Sequence, residues 1–262
     1  MPDGEIDIAD AALHLARIDA PDADWQAARG HLSNLARDAV HMSADIAGDD
    51  LPGQAGALAG LLSERHGYAG DAETYDDLAN ANLIRVIERR RGLPVALGVL
   101  WLHAARAAGW NAYGIDFPAH FLIGLDGGEG QIVLDVFAGG QPLDGRGLRG
   151  LVRRVEGPRA RLRPGLLAAM GTRAVLLRLQ NNIKLRRLRA GDLDGALTCT
   201  EDMLRIAPDD ATLWREAALL HERLDQVAAA LRCLSRFVEL IPHGDAAARA
   251  RAAIDELRSR LN

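Results

Sequence analysis

Two residues of this chain have the type and spacing to do chemistry together. His120 stands in "FPAHFLIGL", residues 117–125, at the head of a run of strand-forming residues. Asp135 stands in "IVLDVF", residues 132–137, on the next such run. Histidine titrates near neutral pH and has two ring nitrogens to satisfy. On neighbouring antiparallel strands the two side chains come within reach of each other. A carboxylate that accepts a ring N–H fixes the imidazole tautomer and raises its basicity. That is the orienting half of a Cys–His–Asp triad. The nucleophile of such a triad belongs at the opening of the preceding helix, where the dipole favours a thiolate.

The elements that would position this pair follow from periodicity. "NAYGID", "HFLIGL" and "QIVLDVF" are short, rich in β-formers and separated by "FPA" and "DGGEG", which predicts a small antiparallel sheet of about three strands. Before them runs a helix from Pro94 to Ala108, stopped at Gly109. "NANLIRVIERRRG" forms another helix up to Gly92, and residues 68–77 are a loop by composition. Its end carries Glu88 and three arginines, Arg89 to Arg91, which suit a helix C-terminus or an acidic partner. Tyr75, Asn80 and Asn82 lie at the loop-to-helix junction, and Asn80 or Asn82 is the N-cap. The segment before this loop, from Met1 onward, is helical, with apolar residues three and four apart.

The chain has 262 residues, 48 % apolar and 26 % charged, with a formal charge of −5. This balance argues against a dedicated binder of nucleic acid or anionic membrane. The N-terminus is acidic, no signal-type stretch follows it, and the longest apolar run, residues 95–102, is too short to cross a bilayer. A cytoplasmic protein is expected. Residues 146–163 contain seven arginines and no aromatic residue, which reads as a solvated linker or helix face. No histidine or cysteine pair has metal-ligand spacing and no glycine-rich phosphate loop occurs, so neither a metal nor a cofactor is expected.

The last third repeats itself. Pro208 and Pro242 are related by one constant offset, and so are Ala196 and Ala230, Leu197 and Leu231, Cys199 and Cys233, and Ile206 and Leu240. A period of about 34 residues with helix–turn–helix patterning is the tetratricopeptide signature. Gly191 and Asp192 are expected to form a turn, with Leu224 and Asp225 as its counterpart. A final helix over residues 245–261 would cap the stack. Both cysteines then occupy the same inward position and are core residues.

Taken together, "YDDLANANLIRVIERRRGLPVAL", "GIDFPAHFLIGL", "LDVFAGG" and "RLQNNIKLRRLRAGDLDGAL" resemble the bacterial SirB-type proteins, which join a transglutaminase-like core to tetratricopeptide repeats. The resemblance implies an α+β fold. A mostly helical transglutaminase-like domain with a small antiparallel sheet (1–145) would precede an arginine-rich linker (146–171) and all-helical repeats (172–262). It carries His120 and Asp135 over as the core's histidine and aspartate. It carries over no cysteine. Counted back from Gly109, the nucleophile falls near Pro94, and residues 92–100, "GLPVALGVL", hold no Cys, Ser or Thr. Ala96 stands where such proteins often have serine, Ala119 where they usually have glycine, and Leu78 and Ala81 where they usually have proline and serine.

Three readings of the pair follow. It ties two strands together, it is a polar site that binds a ligand or peptide, or it activates water or a substrate group. Tyr75, Asn80, Glu88, Arg89, Arg91 and Pro94 are the candidate ligand or partner contacts. One expected function is an interaction or regulatory protein with a degenerate core, whose repeats dock a protein or peptide. The other is a hydrolase or acyl-transfer enzyme using His120 and Asp135 with water or with a partner's nucleophile.

Overall fold

A computed structural model describes residues 2–127 and 130–260. The chain divides after Leu176 into two compact units. The first opens with three helices, α1 (Ile8–Asp19), α2 (Trp25–Ser43) and α3 (Leu51–Ala59), each capped by an aspartate that accepts from first-turn N–H groups: Asp7, Asp24 and Asp50. α3 runs on as a π-helix, Gly60–Arg65. Next come β1 (Ala69–Gly70), α4 (Leu83–Arg89), β2 (Arg91–Gly92) and α5 (Pro94–Ala107). β1 and β2 form a small parallel pair.

The main sheet follows: β3 (Ala112–Phe117), β4 (His120–Gly127), β5 (Gly130–Asp135) and β6 (Gln141–Pro142). After α6 (Gly145–Glu156) and β7 (Ala169–Met170), α7 (Thr172–Arg189) runs across the division between the units. The sheet is antiparallel, in the order β6-β5-β4-β3-β7. The three long strands are those expected, and the two short edge strands are additional. The expected turn over 126–130 has its centre, residues 128 and 129, outside the described residues.

The sheet is covered on both sides. α5 is buried almost all round, from Pro94 through Leu102 and at Ala104 and Ala105. A Cβ at its Gly98 would fall 2.2 Å from the Phe121 ring, so this glycine lets β4 come close. On the other face Ile115, Phe117, Leu122 and Val133 pack with Leu148 and Val152 of α6. Double coverage explains why "FLIGL" is continuously apolar rather than alternating. The arginine-rich segment is therefore helical over Gly145–Glu156. Its apolar residues four apart face the sheet, while Arg146, Arg149, Arg153 and Arg154 are exposed.

The second unit is helical. α8 (Leu193–Ile206) and α9 (Ala211–Arg223) are followed by α10 (Val227–Leu240) and α11 (Asp245–Ser259). α10 starts one repeat period after α8, and α11 one period after α9. Leu261, the last residue of the expected capping helix, lies outside the described residues. Ala196 and Ala230 are fully buried, and Cys199, Cys233 and Leu197 are buried too, whereas Leu231 is only partly covered. The turn is displaced by one residue from expectation. Gly191 (φ +77°) and Asp225 (φ +56°) occupy the same left-handed position, so Asp225 and Gln226 are the counterparts of Gly191 and Asp192. Asp192 caps α8 through Gly195 N–H at 2.8 Å. Gln226 makes no such cap. Its amide oxygen instead lies 2.7 Å from His221 Nδ1.

Candidate functional site

His120 begins β4 directly after a two-residue hairpin turn, Pro118–Ala119, in which Phe117 pairs with His120. Ala119 has φ +50°. Proline followed by a residue at positive φ fits a type II turn, whose second central position favours glycine. In the ladder of β4 and β5 the last pair towards His120 is Ile123↔Leu134, so Asp135, the next and last residue of β5, falls on the His120 side of that pair before the chain turns over residues 136–139. His120 Nε2 lies 2.9 Å from Asp135 Oδ1. The same oxygen accepts from Phe137 N–H at 3.1 Å and Ala138 N–H at 3.2 Å. The two side chains are 15 % and 11 % exposed, so the pair is sheltered and still reaches the surface.

Phe137 organises the surroundings. Its ring is edge-on to His120, with centroids 6.2 Å apart, and edge-on to Tyr75, at 5.9 Å. Tyr75 and His120 therefore meet around one phenyl ring, and Asp135 holds the backbone N–H of the same residue. Sequence reasoning named the other three and missed Phe137. Its signal was its position two residues after Asp135 and just before "AGG", where an aspartate side chain turns the chain by accepting from the N–H two residues on. Behind the ring lies Gly70 of β1, which pairs with Gly92 just before α5.

The loop carrying Tyr75 is pinned at both ends. Asp71 accepts from the Thr74 hydroxyl at 2.6 Å, from Thr74 N–H at 2.8 Å and from Arg89 at 3.3 Å. These bonds, the Thr74 hydroxyl first, hold the Asp71 carboxyl down at about 2. Arg89 also reaches Asp77, so the arginine at the end of α4 anchors the loop. Asn80 is fully buried. Its Nδ2 donates to Thr74 O at 2.6 Å, and its backbone carbonyl accepts from Leu93 N–H at 2.8 Å. Its Oδ1 is buried without a hydrogen-bond partner among the described residues. The helix cap is Asn82, which accepts from Ile84 and Arg85 N–H and donates to Ala16 O at 2.8 Å. Glu88 bonds Arg85 at 3.1 Å, and both Glu88 and Arg91 are exposed.

α5 opens without a side-chain cap: Leu93 is the N-cap and Pro94, buried, sits in the first turn. Its first intrahelical bond runs from Leu97 N–H to Leu93 O. The N–H groups of Val95 and Ala96 fall in the first turn, where no intrahelical acceptor exists. No thiol or hydroxyl stands among residues 92–100. Cys199 and Cys233 are buried in α8 and α10, and burial pushes the Cys233 thiol up. Among the described residues no group of three or more His, Cys, Asp or Glu side chains is arranged to hold a metal ion, and no helix is long and apolar enough to cross a membrane.

The second unit offers a groove of about 990 Å³ lined from α8 to α11. Leu204, Ala217 and Leu231 give it apolar walls, and Trp214, Arg205 and Arg236 are also among its lining. The Trp214 indole N–H is committed to Pro208 O at 2.7 Å, which fixes the ring.

Comparison with known proteins agrees with this division. The profile described as transglutaminase-like superfamily matches residues 26–181, and that of the tetratricopeptide repeat matches 183–255. A UPF0162 protein of Xylella fastidiosa (strain Temecula1) is 30 % identical over 249 residues, covering 92 % of this chain and 86 % of that protein. A UPF0162 protein of Vibrio cholerae is 29 % identical over 243 residues, covering 92 % and 89 %. Protein SirB1 of Salmonella typhimurium is 26 % identical over 175 residues, covering 67 % and 65 %. The chain belongs to the transglutaminase-like superfamily, in the SirB1 and UPF0162 group that joins this core to tetratricopeptide repeats.

Proposed function

We propose that this is a bacterial, cytoplasmic interaction or regulatory protein whose transglutaminase-like core binds rather than cleaves, and whose repeats dock a protein or peptide. One observation carries the reading. The His–Asp pair keeps its orienting geometry at 2.9 Å, while the helix opening that should carry the nucleophile reads Leu93-Pro94-Val95-Ala96. A histidine held in one tautomer beside Phe137 and Tyr75 is then a hydrogen-bonding group in an aromatic setting, suited to a peptide or polar ligand. Tetratricopeptide repeats stack into surfaces used for protein recognition, and the groove over Leu204, Ala217 and Leu231 is a surface of that kind. Neither role needs a metal or cofactor.

A second reading is favoured by the way Asp135 is held. Its carboxylate is fixed by two backbone N–H groups as well as by His120, which is how a base acting on water would be oriented. Affinity capture from the native host tests both, with wild type, His120→Ala and Trp214→Ala compared. Loss of a discrete partner in either variant supports the interaction reading. Identical partners in all three, together with ester hydrolysis by the purified chain that His120→Ala abolishes, would replace it with the enzymatic one.

A further inference from the structure

The first unit holds a second cluster of titratable side chains, apart from the His120 pair. His31, Asn34, Asp38 and His41 recur along α2 at intervals of three, four and three residues, and with His66 they line a cleft of about 490 Å³. We propose that this cleft binds a small oxyanion, a phosphate or carboxylate group, with His31 Nδ1–H and the Arg37 guanidinium as its donors.

The tautomer of His31 is forced. Its Nε2 lies 2.8 Å from Arg90 Nη1 and 2.7 Å from the Tyr68 hydroxyl. A guanidinium only donates, so Nε2 must present its lone pair. The ring proton is therefore on Nδ1. That atom has no hydrogen-bond acceptor among the described residues, and it is not sealed in the interior. Burial, then the neighbouring Arg90 charge, hold the ring neutral down to about 4. The same burial pushes the Tyr68 phenol up to about 12, so it stays protonated. His31 is thus a fixed neutral donor, backed by a cation, facing a cleft.

Backbone irregularities converge on this cluster. The π-helix that continues α3 closes with His66 N–H on Leu61 O at 3.0 Å, five residues back. The wide turn delivers Arg65 and His66 to Asp38, at 3.2 and 3.1 Å. Arg90 lies in the left-handed region, φ +57°, with its guanidinium 4.8 Å from the centre of the Tyr68 ring. π-helical turns and non-glycine residues at positive φ gather at functional sites.

The charges leave room for an anion. Asp38 is the only carboxylate in the lining, and its two oxygens are taken by Arg65 and His66. Among the described residues Arg37 bonds only the neutral Asn34 amide, and Arg90 only His31 and Tyr68. The cluster thus sets three guanidinium groups against one carboxylate, and Arg37, which lines the cleft, bonds no carboxylate among the described residues. A metal ion is the wrong ligand here, because Nε2 of His31 and of His66 are both committed.

The test uses the full chain with its histidine rings followed by NMR at pH 7, at constant ionic strength. Sodium phosphate and sodium acetate are titrated separately, with sodium chloride as control. Saturable shifts of the His31 and His66 rings are expected with phosphate, acetate or both, and the tighter of the two identifies the anion. Arg37→Ala, an exposed change that spares the core, should weaken binding about tenfold for the loss of one charge-assisted contact. Three results would overturn the proposal: no saturable shift up to about 50 mM of either anion, equal shifts with chloride, or an Arg37→Ala affinity equal to wild type.

Discussion

The ring of Phe137 lies against Gly70, so close that a Cβ on Gly70 would stand 2.5 Å from ring Cδ2. Gly70 N–H also donates to Phe137 O at 3.3 Å. The absence of a side chain on β1 thereby sets where Phe137 sits, and Phe137 sets the flank of His120. Gly70→Ala should push the ring aside and cost about 1–3 kcal/mol of overpacking strain. Urea unfolding measures the cost, and the ring resonances of His120 report the shift. Unchanged His120 resonances would disconnect the phenyl ring from the pair.

Asp135 tests the pair from the other side. Asp135→Ala removes the acceptor for His120 and for two backbone N–H groups. Leaving sheltered donors unmatched should cost about 1–3 kcal/mol. Asp135→Asn keeps the shape and one carbonyl acceptor, so it should cost less. Equal losses in denaturant unfolding would mean that shape and a neutral carbonyl acceptor contribute nothing there and that only the carboxylate serves.

Stability should depend on pH through His31. Its folded value of about 4 lies below the ordinary 6.5. Between those values the unfolded chain takes up a proton that the folded ring refuses, so stability falls as pH drops from 6.5 towards 4 and is flat above. The slope is at most about 1.4 kcal/mol per pH unit, less as solvent reaches the ring. Arg90, His66 and His103 act in this direction and Asp38 against it. His31→Gln, which can still accept from Arg90, should remove that slope. Asp71 acts in the same sense, in a lower window. Its contribution is intact above the ordinary 3.8 and is lost only as pH falls through about 2, so the two windows separate in an acid titration.

Much of this was legible in the sequence, and the reasons differ by element. The repeat period survives because each helix pair buries the same small residues, and the starts of α8 to α11 keep that period. β3 to β5 announce themselves by composition, and the hairpin fixes the register that brings His120 to Asp135. β6 and β7 have two residues each, too few for any pattern, and β7 joins β3 through the long-range pairs Gly114↔Met170 and Ile115↔Ala169. Asn80 and Asn82 are equally good caps by residue type. Only the fold assigns the cap to Asn82 and the Leu93 contact to Asn80. The π-helix and the left-handed Arg90 leave no mark in composition, so the His31 cluster was invisible.

Ala119 and Asp225 hold backbone conformations that suit glycine, φ +50° and +56°. Ala119→Gly should stabilise the chain by about 0.5–1 kcal/mol, the relief of a left-handed Cβ offset by glycine's greater freedom when unfolded. Asp225→Gly should gain less, because aspartate tolerates this region. Its bond to Arg260, between side chains 84 % and 43 % exposed, adds little. A rise in melting temperature larger for Ala119→Gly than for Asp225→Gly is the expected order, and the reverse order would contradict the turn assignment.

The repeat packing gives the last prediction. Ala196 and Ala230 are both fully buried and stand one repeat period apart. Ala196 packs with Leu197 and Leu220, with Leu188, Leu193 and Leu224 around them. Ala230 belongs to the larger cluster with Ala217, Leu213, Phe237 and Ile254. Neither position has room for a longer side chain, so Ala196→Leu and Ala230→Leu should each cost about 1–3 kcal/mol in the full chain. Leu219, on α9 and 59 % exposed, is the control, and Leu219→Ala should stay within about 0.5 kcal/mol of wild type. If Ala196→Leu unfolds in urea at the same midpoint as Leu219→Ala, the helices are not in contact at that alanine. The small residues of the repeat would then need an explanation other than close packing.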